Sequence, residues 1–387
     1  MTSPPTSQFD YDEVEIEEKG RETTLTKPWD PKHIRITTKN FTIREVYSQI
    51  TEAELDLAPD FQRSYVWKRR QQDRLIESIM LGIPLPAFYF NQDSSGSHQV
   101  IDGVQRLTTI NLFMSGELIL ERDNLEYLSP LAGLDYSGLD ATTRRRFAAT
   151  QIVVHIIEPQ TPDEVKYDIF NRVNTGGSPL TAQEIRHCMS KQLSRDFLKS
   201  LSENDKFDRA TDYAFWKKDS SGNAIRDNQR MANREMALRF CAFCDISYGE
   251  YSSFASLDAF LLEFTRLLDN RPTVKRRALD LAKLKSKFER AMTNCRDILG
   301  NSAFRRWNPN TERRGPINRA IFESHAIALS KYHYHQLKPY KDEIAEAFKQ
   351  MFDDRLYVSS VTSGTGDVRA VERRLEMPKK ILQDIVG

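Results

Sequence analysis

This 387-residue chain has no apolar stretch approaching the about 18 residues that a membrane-spanning helix requires. It also lacks an excess of either charge. Fifty-six basic and 55 acidic side chains leave a net charge of +1, so any contact with nucleic acid has to come from local basic patches. Cysteine is scarce: Cys188, Cys241, Cys244 and Cys295 are the full set of 4. Cys241 and Cys244 form a CxxC, but there is no second pair and no neighbouring Cys/His partner. A structural zinc site takes four ligands. Their place in the amphipathic run MALRFCAFCDI reads as buried thiols on a helix, and this usage fits a reducing compartment. Met1 is followed by polar residues and prolines rather than an apolar core, so no signal peptide and a cytoplasmic location are expected. No internal repeat is present.

Hydrophobic residues make up 39% of the chain and charged residues 29%, the composition of a globular protein with a well-wetted surface. The length suits about two domains. Residues 1–32 read as an acidic, flexible tail: MTSPPTSQ is rich in Pro, Ser and Thr, and YDEVEIEEKGRE has little to bury. The fold class expected for the remainder is α+β, a small mixed-sheet domain over 33–190 followed by an all-helical domain over 191–387.

The periodicity supports that division. IRITT reads as a short strand, and Phe41–Ile50 as a helix with Thr42 a candidate cap. PDFQRSYVW (59–67) is extended and aromatic. Gln71–Leu81 is helical and closed by Gly82. AFYF (87–90) and HQVID (98–102) read as two strands joined by a polar hairpin-like loop. Leu107, Ile110 and Phe113 carry helical spacing up to Gly116. QIVVHII (151–157), nearly all β-branched, should be central in the sheet. A helix opens at Pro162, Asp163 and Glu164, Gly176 and Gly177 break it, and Thr181 with Glu184 has the spacing of a capping box. Beyond residue 190 the period is helical almost throughout, except for RRWNPNTERRGPINR (305–319), which reads as a loop.

Three polar clusters stand out of the first half. One is Phe61, Gln62, Arg63, Tyr65 and Trp67. A second is Asp102, Gly103, Gln105, Arg106 and Thr108. The third is Asn171, Arg172, Asn174, Thr175, Gly176 and Gly177. Each joins an Arg, which grips phosphate with a planar fork, to amides that read the neutral edges of a base or sugar. The middle cluster is the most informative. In VIDGVQRLTTI (100–110) a strand turns through Gly103 into a helix N-terminus, where backbone N–H groups and the helix dipole favour an anion. Asp102 could hold a metal through one carboxylate, as magnesium sites beside phosphates often do. Arg305, Arg306, Trp307, Arg313 and Arg314 are the best nucleic-acid-binding candidates, because they combine guanidinium groups with a ring able to stack. The alternative for every cluster is structural: turns that bond their own backbone, and charged faces that are simply solvated.

The motifs PDFQRSYVW, LIESIMLGIPLPAFYF and VIDGVQRLTTI, in this order and spacing, resemble the N-terminal domain family of GmrSD-type modification-dependent restriction endonucleases. FNRVNTGGSPLTAQEIR (170–186) resembles that family's next motif. The family is itself similar to the ParB/sulfiredoxin fold. There, elements that correspond here to Phe61–Arg63, Ser78–Pro86 and Gly103–Arg106 surround a nucleotide or phosphate. The family signature DGQQR reads DGVQR in this chain, with Val104 in place of the first Gln.

The resemblance implies a nucleotide-binding, NTP-hydrolysing component of a prokaryotic restriction or anti-phage defence system. Its cofactor would be ATP or GTP with Mg2+. Asp102, Gln105 and Arg106 would be catalytic, with Asp102 also the metal ligand. Gln62, Arg63, Gly103, Thr108, Asn171, Arg172 and Asn174 would hold the nucleotide. DNA is the expected partner, together with a separate nuclease or DNA-modification protein, since two-part members carry a C-terminal HNH nuclease domain. Here His333 and His335, in KYHYHQ, have no nearby Asp-His pair, and no HNH site is seen. Two further readings stand beside this one: a non-catalytic module that senses DNA or a partner, and a DNA nickase.

Overall fold

The computed structural model describes residues 14–15, 34–57, 67–93, 96–173, 180–219, 221–245, 248–269, 279–308 and 313–387. The chain divides into two compact units, one of Pro28–Leu180 and the other of Met1–Lys27 with Thr181–Gly387.

The first unit is the mixed α/β domain. Its elements are β1 (Ile36–Thr42), α1 (Ile43–Thr51), β2 (Leu55–Asp56), α2 (Arg69–Leu81), β3 (Phe88–Gln92), β4 (His98–Asp102), α3 (Val104–Met114), α4 (Ala141–Ala149), β5 (Gln151–Ile157) and α5 (Asp163–Val173). The five strands form one sheet in the order β1-β5-β3-β4-β2. The β1/β5 and β3/β4 pairs are antiparallel, while β3/β5 and β2/β4 are parallel.

Local chemistry sets the boundaries. Phe41 belongs to β1, paired with Ile152, so the first helix begins two residues later than its apolar spacing suggests. Thr42 closes a capping box with Glu45: each side chain bonds the other residue's backbone N–H. Gly82 ends α2 in the left-handed region, at φ +77°. β5 is an interior strand: Ile152, Val154 and Ile156 are buried on one face, while on the other Val153 is 41% exposed and Ile157 is fully buried. Its β-branched residues suit the strand, and the second face is covered only toward its end.

The core of this unit lies on one face of the sheet. Phe88 and Phe90 of β3, Val100 of β4 and Val154 and Ile156 of β5 pack with Ile76 and Ile79 of α2 and Leu107, Ile110 and Phe113 of α3. Beneath this layer Glu77, 3% exposed, accepts the backbone N–H groups of Glu126, Tyr127 and Leu128. One carboxylate thus ties down the loop-rich stretch after α3. Burial raises the pKa of this carboxyl, yet the backbone donors outweigh it and hold the group below its usual value.

The second unit is helical: α6 (Ala182–Met189), α7 (Gln192–Ser202), α8 (Asp205–Ala210), α9 (Ala232–Asp245), α10 (Tyr248–Tyr251), α11 (Leu257–Leu268), α12 (Leu281–Asn294), α13 (Arg319–Leu329), α14 (Tyr334–Leu337), α15 (Lys341–Gln350), α16 (Arg355–Thr362) and α17 (Val368–Val386). Two hairpins interrupt it, β6 (Trp216–Lys218) with β7 (Ala224–Arg226), and β8 (Arg305–Asn308) with β9 (Arg313–Ile317). The α6 helix, capped by Thr181 and Glu184, belongs to this unit rather than to the α/β domain.

Part of the acidic N-terminal stretch corrects the reading of a flexible tail. Val14 is 8% exposed and joins the helical core. The Glu15 N–H donates to Ile317 O at 2.8 Å, and the Asn318 amide donates to the Glu15 carboxylate at 3.0 Å. Among the described residues no helix is long and apolar enough to cross a membrane.

Candidate functional site

The site builds outward from a β-bulge. β3 pairs with β4 as Phe90↔Val100 and Asn91↔Gln99, but Tyr89 pairs with Asp102. Ile101 is thereby the extra residue. Without it, strict alternation would send Asp102 toward the core alongside Val100. The bulge instead puts Asp102 on the sheet face that carries Tyr89, Asn91 and Gln99, the kind of re-aiming that bulges supply beside functional sites.

Gly103 then turns the chain. Its φ is +97°, and it stands as the N-cap of α3 with no side chain capping the helix. A Cβ at this position would lie 2.3 Å from the Phe88 ring, so only glycine fits in both conformation and space. The result is an α3 N-terminus at which no side chain of the described residues caps the first N–H groups, with a macrodipole that favours an anion.

Arg106 is engaged locally. Its Nη2 donates to Asp102 Oδ2 at 2.8 Å and to Ala87 O at 3.1 Å, its Nη1 donates to Pro86 O, and its guanidinium stacks 4.1 Å from the Phe88 ring centroid. The group sews α3 to the Pro86–Phe88 strand entry and fixes the carboxylate of Asp102. Burial pushes the Asp102 carboxyl above its usual value, while the Arg106 charge and the Gly103 N–H pull it back. Burial likewise lowers Arg106, against the opposing pull of Asp102.

Three side-chain amide atoms in this region are buried without a hydrogen-bond partner: Asn91 Oδ1, Gln99 Nε2 and Gln105 Oε1. Leaving such an atom unpaired costs on the order of 1–3 kcal/mol. Gln105 was expected from the sequence. Asn91 and Gln99 were not, because nothing in FYFNQ or HQVID marks an amide as inward-facing until the strand register is known. Tyr89, whose ring centroid lies 4.9 Å from that of His155, extends the same face.

The remaining expected residues are distributed differently. Thr108 is half-buried one turn further along α3. Arg172 is exposed at the end of α5, with its Nε 3.3 Å from Asp168. Asn171 lies in the same helix, and its side chain is outside the described residues, as are Gln62, Arg63 and Asn174. Around Asp102 a metal ion would find one carboxylate already shared by Arg106 and the Gly103 N–H. No group of three or more His, Cys, Asp or Glu placed to hold a metal occurs among the described residues. This donor set does not fit a resident metal.

The basic stretch 305–319 is corrected in two respects. It forms the β8/β9 hairpin rather than a loop, and its arginines are not equivalent. Arg305 is 2% exposed and donates to Gly315 O and Thr211 O at 3.3 Å, so it is a structural residue and cannot meet a phosphate. Arg314 Nη1 bonds Asp212 at 2.9 Å. Trp307 is half-buried under Lys349, whose Nζ lies 4.6 Å from the ring centroid. Alternation along a strand turns Arg305 inward and leaves Arg306 exposed. The side chain of Arg313 is outside the described residues.

The match to known families falls on the site. Residues 43–191 match the family model described as "GmrSD restriction endonuclease, N-terminal domain". Among solved structures the chain is similar to one titled as a Pnob8-like ParB-N domain, at 11% identity, covering 92% of this chain and 99% of that chain. The TM-score is 0.21, too low to carry a structural correspondence. No curated protein matches this sequence.

Proposed function

We propose that this chain is the nucleotide-binding component of a DNA-restriction system, with the nucleotide's phosphates seated at the N-terminus of α3. The observation that carries this reading is the helix start at Gly103, which no side chain of the described residues caps, with the unpartnered amide oxygen of Gln105 in the first turn of the same helix. Backbone N–H groups would take the phosphate oxygens and the amide would take the base or sugar. The DNA-associated role rests on the restriction-endonuclease domain at 43–191.

Hydrolysis of ATP or GTP is the finer reading. In it Asp102 orients the attacking water and Gln105 positions the water or a phosphate, since phosphoryl transfer asks mainly for positioning and charge stabilisation. Arg106 acts here as a positioning residue, its guanidinium being committed to Asp102, Pro86 and Ala87. That commitment leaves the motif without a mobile cation, which favours binding over turnover. A sensor that binds nucleotide and DNA without hydrolysis is therefore the second reading. Any magnesium would arrive on the nucleotide.

The test is equilibrium binding and turnover of each NTP by the full chain, with and without Mg2+ and DNA. Gly103→Ala and Asp102→Asn serve as variants. Micromolar binding that Gly103→Ala abolishes supports the site. Turnover lost in Asp102→Asn selects the enzyme over the sensor. Absence of binding to any NTP overturns the proposal.

A further inference from the structure

The helical unit contains a cavity of about 440 Å³, formed by α9, α12, α13 and α17 together with the residues just after α13. This falls in the size range of small-molecule sites, about 300–1,000 Å³. The lining mixes two chemistries. Phe243, Ile327 and Leu375 supply apolar surface, and Lys287, Arg290, Lys331 and Lys379 are accompanied by a single carboxylate, Glu376.

Lys379 pairs with Glu376 at 3.0 Å. Lys287, Arg290 and Lys331 form no ion pair with any described residue, although Lys287 and Arg290 are half-buried. A partly desolvated cation normally finds a carboxylate, as Arg226, its side chain 22% exposed, does on Asp208 at 2.5 Å. Cations left unpaired around an apolar concavity are charges kept for a ligand.

We infer that this cavity binds a small amphipathic organic anion, with its apolar body on Phe243, Ile327 and Leu375 and its phosphate, sulfonate or carboxylate group against Lys287, Arg290 and Lys331. The site is built wholly within the helical unit and is independent of the α3 site. Cys244 lines the cavity and is half-buried, whereas Cys188, Cys241 and Cys295 are buried. Its thiol is thus a built-in reporter of occupancy.

The experiment titrates the full chain with anilinonaphthalene sulfonate, a fluorescent aromatic anion. Its neutral relative phenylnaphthylamine is the control. The expected result is one saturable site per chain that prefers the anion, weakens with salt and slows alkylation of Cys244 by iodoacetamide. Lys287→Glu with Arg290→Glu should lower affinity about tenfold or more. Lys287→Gln with Arg290→Gln keeps the test valid should the reversed pair fail to fold, and it should lower affinity in the same direction.

A nucleoside monophosphate and a medium-chain fatty acid are then used as competitors. Displacement by either supports the site and identifies the source of the anion. Equal binding of the neutral dye, indifference to both charge variants, no protection of Cys244, or displacement by neither competitor overturns the assignment.

Discussion

The α/β unit and the helical unit both bury arginine, but they neutralise it in different ways. In the helical unit Glu323, 0% exposed, accepts Arg374 Nε at 2.7 Å and Arg239 Nη1 at 3.1 Å. Arg239 also bonds Glu235, toward which Arg186 and Arg319 converge. Burial works to raise the Glu235 carboxyl, but those three guanidinium groups prevail and bring it down to about 2. This charge cluster is closed on itself. In the α/β unit Arg106 spends two of its bonds on carbonyls, its partner Asp102 stays 30% exposed, and the helix start beside them has no cap. The first arrangement holds helices together, while the second leaves a carboxylate partly exposed beside an uncapped helix start.

The largest expected effect tests the closed half of this comparison. Glu323→Ala strands Arg374 and Arg239 without their shared carboxylate and should cost about 3–5 kcal/mol in chemical denaturation. A loss under about 1 kcal/mol would mean that the cluster is not the structural tie argued above.

Gly103→Ala probes the open half. A Cβ 2.3 Å from Phe88 at a positive φ should cost about 1–3 kcal/mol, together with the nucleotide binding proposed above. Wild-type stability in this variant would show that Phe88 moves aside at little cost.

Acid separates the two regions by sign. Burial holds His325 in the helical unit at about 3, below the ordinary 6.5, with its Nδ1 accepting the Phe304 N–H at 3.2 Å. The folded state refuses a proton that the unfolded chain takes up, so stability is full above pH 6.5 and falls as the pH drops from there toward 3. The slope from this one group is about 1.4 kcal/mol per pH unit. Asp102 runs the other way. Its folded value is raised, so its favourable contribution is present at low pH and is lost as pH rises through that value. Urea midpoints at several pH values, for the parent and His325→Gln, should show the histidine slope in the parent only. Identical slopes would refute the assignment.

The smallest effect concerns the β8/β9 hairpin. Exposed Arg306→Ala should leave stability within about 0.5 kcal/mol and reduce the salt slope of DNA binding by about one. Buried Arg305→Ala should destabilise the fold. DNA binding that depends on Arg305 with no loss of stability would reverse the structural role given to that residue.

Much of the architecture was legible from residue order. The Gly82 stop, the Thr42 and Thr181 caps, the β5 strand and the Gly103 turn are local signals, and each acts over a few residues. Long-range facts were not. That Ile101 is a bulge, that Asn91 and Gln99 stand opposite one another, and that Arg305 points inward while Arg306 points out depend on strand pairing. Val14 reads as part of a solvated tail until its contacts with the helical core are known.

The sequence alone therefore determined the mixed α/β and helical division of the chain and the place of the Gly103 turn. A glycine between a strand and an uncapped helix, within a spaced set of family motifs, needs no distant partner to be recognised. The tertiary structure decided what the side chains around that turn are free to do. Arg106 is committed because the carbonyls of Pro86 and Ala87 come within its reach, and Asp102 shares a sheet face with Tyr89 because one extra residue shifts the register of β4. Pairing between strands remote in sequence sets both, and no local pattern encodes it.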